Sequence, residues 1–257
     1  LARRIVWSQT NCSGTVTDGI RKLLNESIIS PTDTRRAIAG FNIGTMEGGT
    51  GALSAQFTGD NVLAVVVGIC RTYGLGFDVT IGASGPTFKL YRGKDRSYQQ
   101  SVLPRVVFSP DNDNLIDSSY AEDGTEFKNV ANVGGEGEGT ERRFAEAGDA
   151  SASGMNRFEM FVDARDVSSN NGEIQAEEYD ALLQERGLKD LKEHETTVAF
   201  EGSIQTGINY QLGIDYNLGD IVEVDNGYGI RERARVTEVI TCLDDTGLHI
   251  IPAFEAV

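Results

Sequence analysis

The sequence predicts an α+β fold: a mixed α/β domain followed by a β-barrel-like, mostly antiparallel domain with an inserted helical segment. Two observations lead to this prediction. Apolar residues recur at helical spacing in only three segments, 16–29, 62–73 and 176–186. Alternating, strand-like segments bounded by Gly, Asn and Asp fill most of the rest. Because so many short strands would leave their edges exposed, we expect them to close into a barrel.

The first part of the chain, residues 1–104, is predicted to be an α+β domain with two helices and β-hairpins. The first apolar stripe indicates a helix that ends before Pro31, since proline disfavours helical backbone in the residue preceding it. In the second helix, apolar residues follow one another at intervals of four, three and four. We expect Asp60 to cap its start and Gly74 to adopt the left-handed conformation at its end. Alternation on both sides of residues 82–85 predicts a hairpin.

The second part, residues 105–257, is predicted to be β-barrel-like, with a helical insertion at about 155–196. The small residues from Gly134 to Gly154 are typical of a flexible loop. The helix of the insertion is expected to end at Gly187, with a second short turn, Leu188 to His194, continuing from it. Farther on, Asp225-Asn226-Gly227 is a strong hairpin signal and predicts a β-meander.

The charge balance argues against a nucleic-acid partner. Lys and Arg number 23 against 39 Asp and Glu, a net charge of −16, whereas binding to a phosphate backbone needs stripes of basic residues. Arg231, Arg233 and Arg235 recur at period two on one predicted strand. We expect them to form a solvated strand face, with pairing to an acidic neighbouring subunit as the alternative. No apolar run is long enough to span a bilayer.

Cysteine and histidine usage predicts no catalytic or metal chemistry. Cys12, Cys70 and Cys242 are odd in number and far apart, which disfavours disulfide scaffolds and zinc sites and fits a reducing compartment. We interpret them as structural thiols, buried at Cys70 and Cys242. His194 and His249 are interpreted as structural residues rather than catalysts.

The stretch from Asp166 to Glu178 resembles a calcium-binding loop. With Gly172 at position 6 of such a loop, positions 5, 8 and 12 fit, but position 1 is Val167, which has no side-chain oxygen. A turn before a helix requires the same Ser, Asn and Gly residues, so the turn is the preferred interpretation, and calcium binding by residues 166–178 is left open.

Other motifs point to no enzyme. "GGEGEG" at 134–139 lacks the dinucleotide-binding spacing, and its glutamates would repel a pyrophosphate. Adjacent carboxylates occur in polar turns or on a helix, where solvent keeps them ordinary acids (Asp111 with Asp113, Glu136 with Glu138, Glu177 with Glu178). The sequence therefore predicts no catalytic, cofactor-binding or metal-binding residues and no cofactor.

Several blocks resemble the ReqiPepy-type siphovirus tail protein family. The most specific is "DYNLGDIV" at 215–222, followed by "YGIRERARVTEVI" and "GLHIIPAFE". Weaker blocks fall in the family's order, among them "RRIVWSQTN", "QFTGDNVLAVVVGICRTYGLGFDV" and "FKLYRGKDRSYQQ". The similarity covers nearly the whole chain.

This resemblance implies a structural subunit of a phage or prophage tail tip, similar to the baseplate hub that closes the tail tube. It implies β-barrel and α+β domains, a homotrimer, contacts with distal tail and tail fibre subunits, and no catalytic residues. It places the protein in the virion tail, after assembly in the bacterial host cytoplasm. Because family members begin with another domain and this sequence starts at Leu1, we expect an N-terminal domain to be lacking.

Two alternatives stay open. Abundant carboxylates, together with Tyr91, Tyr98, Tyr216 and Tyr228, would suit a tail-associated cell-wall hydrolase or carbohydrate-binding domain, although strand packing explains the tyrosines equally. A bacterial protein that uses the hub fold in a secretion or injection machine is the other. The sequence gives neither the oligomeric state, the host nor the partner subunits.

Overall fold

The computed structural model describes residues 1–203, 210–227, 229, 231–245 and 247–257, with side chains except at 116–119, 197–203, 244, 248, 249 and 256. This part of the chain forms three α-helices and fourteen strands. They are β1 (Thr10–Thr15), α1 (Val16–Leu24), β2 (Asn42–Met46), β3 (Ala52–Phe57), α2 (Val62–Tyr73), β4 (Gly76–Gly82), β5 (Gly85–Tyr91), β6 (Val107–Phe108), β7 (Ile116–Asp123), β8 (Val130–Gly134), β9 (Phe144–Gly148), β10 (Glu159–Asp163), α3 (Ala176–Glu193), β11 (Thr197–Ser203), β12 (Ile221–Asp225), β13 (Arg231–Asp244) and β14 (Gly247–Ala256). The α+β class is confirmed.

The chain forms two compact units, each built from two separate stretches. The first unit contains residues 1–91 and 126–195, and the second contains 92–125 and 196–257. This grouping differs from the predicted boundary near 105, because α3 packs against β3 and α2 as well as against β8 and β9. Whether either predicted range, 1–104 or 105–257, folds by itself stays a prediction.

Helices α1 and α2 lie where the apolar spacing predicts them. A π-helical turn, Asn25–Ile29, extends α1, and a capping box begins it: the Thr15 side chain accepts from Asp18 N, and the Asp18 side chain accepts from Thr15 N. Helix α2 is capped by Asn61, whose Oδ1 accepts from Leu63 N at 3.0 Å, so the prediction of Asp60 as the cap is wrong by one residue.

The end of α2 and the hairpin after it are confirmed. Gly74 is left-handed, with φ at +63°, and β4 and β5 pair antiparallel. With β2 on the other side of β5, they form a three-stranded sheet in the order β2-β5-β4. The antiparallel pair β1-β3 forms a second small sheet. The core of this part contains fully buried side chains from α1, α2 and β5, such as Ile20, Val66 and Phe88.

The rest of the first unit corrects two predictions. The predicted flexible loop from Gly134 to Gly154 contains β9, which pairs with β8 in a sheet of order β10-β8-β9. Helix α3 does not end at Gly187 but continues to Glu193. A Cβ at Gly187 would lie 2.6 Å from Val133 Cγ2 and 2.7 Å from Ala147 Cβ. Glycine therefore stands there because the helix approaches the sheet closely.

The second unit is a six-stranded sheet in the order β6-β12-β13-β14-β11-β7. Pairing is antiparallel except between β6 and β12. Within the described residues β6 and β7 are the two ends of this sheet, and no closed barrel forms, contrary to the prediction. Its core combines aliphatic side chains with an aromatic cluster, in which the centre of the Phe108 ring lies 5.3 Å from the ring centres of both Tyr216 and Phe254.

Candidate assembly surfaces

The three arginines of β13 have partners within the second unit. Arg233 donates to Asp95 at 3.0 Å, 138 residues earlier in the chain, and Arg231 donates to Asp225 at 2.9 Å. The Arg231 guanidinium also lies 5.6 Å from the centre of the Tyr98 ring. The third, Arg235, is partly buried, and burial lowers its pKa. The solvated-face prediction is therefore wrong for Arg233 and Arg235, whereas Arg231 is exposed as well as paired. Pairing with an acidic neighbouring subunit stays a prediction.

A buried ion pair holds residues 92–97 against the sheet. Arg96 Nε donates to Asp220 at 3.0 Å, and the exposed fractions of the two side chains are 8% and 3%. Asp220 also accepts from the backbone N–H groups of Lys94 at 2.7 Å and Asn217 at 3.0 Å. The carboxylate therefore has three donors, which is what a buried charge requires. The bond from Asn217 N spans residues 217–220, so Asp220 also stabilises the turn before β12.

The segment resembling a calcium loop is a turn whose position 1 faces the core. Val167 is buried among the residues beneath α3. The nearest acid before it, Asp166, is bound to Arg186 at 3.2 Å. Ser169 Oγ donates to Glu136 at 2.6 Å instead of pointing to a common centre. Among the residues that the structure describes, no group of three or more His, Cys, Asp and Glu side chains could hold a metal ion.

The cysteines and histidines fall in three different surroundings. Cys12 and Cys70 are buried, and burial raises the pKa of Cys12 to about 11 and that of Cys70 to about 12, so both are inert thiols. Cys242 is exposed, so its predicted burial is wrong. His194 Nδ1 lies 2.8 Å from the carbonyl of Asp190. His249 lies outside the described side chains.

Two partly buried carboxylates of α3 were not predicted from the sequence. Burial raises the pKa of Glu185 and that of Asp190 above their ordinary values. Tyr73 Oη lies 2.9 Å and 3.1 Å from the two carboxylate oxygens of Glu185. Glu185 borders a cavity of about 70 Å³ between α2, β3 and α3. Only the helical pattern of α3 marked this region, and it does not show which acids face inward.

Sequence reasoning also missed a basic surface in the first unit, which we call the arginine–tryptophan patch: Arg3, Arg4, Trp7 and Arg36. The Trp7 side chain is 70% exposed, and the Arg36 guanidinium lies 5.1 Å from its ring centre. Arg4 donates to the carbonyl of Arg36 at 2.8 Å, and Arg36 donates to that of Ile5 at 2.6 Å. The block "RRIVW" was the available signal, but residues 33–36 complete the patch only in the fold.

The arginines of this patch form no close ion pair, although Arg36 is near enough to Asp33 to help lower the pKa of that carboxyl. Among the described residues, none of the three forms an ion pair with a carboxylate. The neighbouring Arg35, by contrast, is paired with Asp33 at 2.8 Å. Trp and Arg are the residues most enriched at the energetic centres of protein interfaces. The patch is therefore a candidate contact surface.

A cleft of opposite charge lies elsewhere on the first unit, and we call it the acidic cleft. It has a volume of about 460 Å³, and its lining includes Glu136, Glu141, Ile174 and Ala176. The hydrogen bond from Ser169 lowers the pKa of Glu136. One cation, Arg143, also lines the cleft, but it donates to both carboxylate oxygens of Asp180 at 2.9 Å. The cleft is therefore lined by two carboxylates, Glu136 and Glu141, and by a cation that is already paired.

Comparison with known proteins assigns the family. The family model described as Siphovirus ReqiPepy6 Gp37-like protein matches residues 1–254. The chain belongs to this family. This confirms the resemblance on which the sequence prediction rests. No curated protein matches the chain in sequence.

The fold of this Gp37-like chain is similar to that of a 43 kDa tail protein from prophage MuSo2 of Shewanella oneidensis. The TM-score is 0.52 at 13% identity, over 98% of this chain and 69% of that one. A tail protein from Neisseria meningitidis MC58 gives 0.49 at 14% identity, over 96% and 68%. Prophage tail protein gp18 from Listeria monocytogenes EGD-e gives 0.47 at 13% identity, over 99% and 68%. The first of these shows that the Gp37-like chain shares a fold with a phage tail protein.

None of the described helices is long and apolar enough to cross a membrane.

Proposed function

We propose that the chain is a structural, non-enzymatic subunit of a phage or prophage tail, and that it forms a hub-like ring at the tail tip. In this role it closes the tail tube and joins it to distal tail and receptor-binding parts. The ring is a homotrimer, assembled in the host cytoplasm and carried in the virion tail.

One observation carries the proposal: the family match spans residues 1–254, and the fold is shared with a prophage tail protein. The described side chains support it. The β13 arginines and the buried Arg96–Asp220 pair form interactions within the second unit. The arginine–tryptophan patch contains the residue types that are enriched at protein interfaces.

The test is assembly. The chain is co-expressed with the distal tail subunit of the same phage or prophage. Complexes are isolated through a tag on that subunit, and their mass is measured by light scattering. We expect co-purification and a mass corresponding to three copies. Purified tails that lack the protein, or a chain that ignores all tail subunits, would refute the proposal.

One observation favours the alternative, a tail-associated cell-wall hydrolase: the raised pKa of Glu185 is a property of catalytic acids. The cavity beside it, about 70 Å³, is far below the roughly 300 Å³ of the smallest usual ligand pockets. Incubation with host peptidoglycan separates the two functions, because a hydrolase releases reducing ends or free amines and a structural subunit releases neither.

A further inference from the structure

We propose that the arginine–tryptophan patch of one copy of this chain docks into the acidic cleft of a second copy. Such a contact joins two different surfaces of the same chain, and contacts of this kind close into rings when repeated around an axis. The inference rests on the proposed ring-forming function and names the surfaces that build the ring.

Complementary charge is the first argument. Arg3, Arg4 and Arg36 form no close ion pair among the described residues, and the acidic cleft contains Glu136 and Glu141 beside a cation that is already paired with Asp180. The patch supplies positive charge and the acidic cleft supplies negative charge. Joining them neutralises charge on a protein whose net charge is −16 and whose copies otherwise repel one another.

Shape and chemistry give the second argument. The acidic cleft combines carboxylates with the apolar side chains of Ile174 and Ala176, and its volume of about 460 Å³ admits an indole together with a guanidinium. The patch presents that combination already assembled. Arg36 lies over Trp7 and is fixed by its bond to the Ile5 carbonyl, so little side-chain freedom is lost on docking.

A nucleic acid is the less favoured occupant of the patch. Three arginines can contact few phosphates, and the acidic remainder of the chain repels a polyanion. A second copy meets no such penalty, because its acidic cleft contributes the attraction.

The test reverses the charges and then restores their complementarity. Self-association of the full chain is measured by sedimentation equilibrium for the wild type, Arg36→Glu, Glu141→Arg and the double variant. Each single reversal is expected to weaken association about tenfold or more, because it places like charges together. The double variant is expected to return to within about threefold of wild type, since the two reversed charges then attract each other across the contact between copies.

Arg35→Glu is the matched control. Arg35 is adjacent in sequence and more exposed than Arg36, but it is already paired with Asp33, so its reversal should leave association unchanged. Thermal unfolding of each variant reports whether it is folded. Trp7 is the single tryptophan of the sequence, so its emission reports the patch directly and should shift to shorter wavelength on association.

Several results overturn the inference: a wild type that stays monomeric at high concentration, single reversals without effect, a double variant no better than the single ones, or short DNA that binds the patch and is released by Arg36→Glu. If the wild type still co-purifies with tail subunits as three copies in those cases, the proposed function stands and only the docking surfaces are wrong. If it neither self-associates nor joins the tail, both proposals fail.

Discussion

The Arg96–Asp220 ion pair is buried, so water cannot replace either side chain if it is lost. Removing one member leaves the other charge buried, so Arg96→Ala is expected to lower the free energy of unfolding by about 3–5 kcal/mol. Denaturation by urea, followed by circular dichroism, measures the loss. The control is Arg35→Ala, which breaks the exposed pair with Asp33 and should cost less than about 1 kcal/mol. Equal losses for the two variants would mean that Asp220 is solvated.

Glu185 gives a pH dependence whose sign follows from its burial. Its pKa in the folded protein is raised above the ordinary 4.5, so the folded state binds the proton more tightly than the unfolded state does. The stability that this proton contributes is complete below pH 4.5 and is lost as the pH rises through the folded pKa. Gln in place of Glu185 keeps an acceptor for Tyr73 without the charge.

The variant Glu185→Gln is therefore expected to melt at a higher temperature than wild type at pH 7, with the difference closing toward pH 4. Thermal melts across this range measure it. Glu178→Gln removes one negative charge from the exposed side of the same helix and serves as the control. A Glu185 variant that is less stable than wild type at pH 7 would show that the carboxylate is ionised and stabilising.

Among the elements, α3 contains a glycine that the sequence predicts as a helix end and that the structure places inside the helix. Gly187 lies inside the helix, where alanine is intrinsically better by about 1 kcal/mol, yet a Cβ there would overlap Val133 and Ala147 of the sheet. Gly187→Ala is expected to destabilise the protein by about 1–3 kcal/mol through overpacking.

Gly68 in α2 is the matched comparison. A Cβ there meets only the flexible end of Lys189 at 3.3 Å, so Gly68→Ala should stabilise the protein by about 0.5–1 kcal/mol. Chemical denaturation measures whether each variant gains or loses free energy of unfolding relative to wild type. Stabilisation by both alanines would mean that α3 can move away from β8 and β9.

The elements that could be predicted are those whose pattern is local. Apolar spacing in 62–73 and the turn between β4 and β5 depend on neighbouring residues, and both were predicted correctly. The capping box of Thr15 and Asp18 is equally local and could have been found from its spacing. Strand β9 could not, because its small residues indicate a loop and its identity comes from pairing with β8.

The candidate surfaces could be predicted less well, because they depend on residues far apart in sequence. Nothing near Arg233 indicates Asp95 as its partner, and nothing near Trp7 indicates that Arg36 will cover it. The arginines of β13 were predicted to be solvated because the sequence does not indicate such partners. The family could be predicted, although local patterns did not indicate it, because the resemblance depends on the order of blocks along the whole chain.

At the scale of the whole molecule, residues 92–104 belong with the second unit. Ile221 N donates to the carbonyl of Lys94 at 2.9 Å, and Arg96 N donates to that of Ile221 at 2.7 Å, so this segment pairs with β12. Tyr98 N donates to Glu223, which is only 5% exposed. A boundary near 105 separates these donors and acceptors, whereas a boundary after Tyr91 keeps them together.

A comparison of two fragments tests this assignment. Fragment 105–257 leaves Asp220 and Glu223 buried without their partners, so its six-stranded sheet should be less stable than that of fragment 92–257 by several kcal/mol, at about 1–3 kcal/mol or more for each orphaned group. Both fragments lack 1–91, so their difference isolates residues 92–104. Fragment 92–257 carrying Arg96→Ala should fall between them. Equal stability of the two fragments would favour the boundary near 105, because residues 92–104 would then contribute nothing to the sheet.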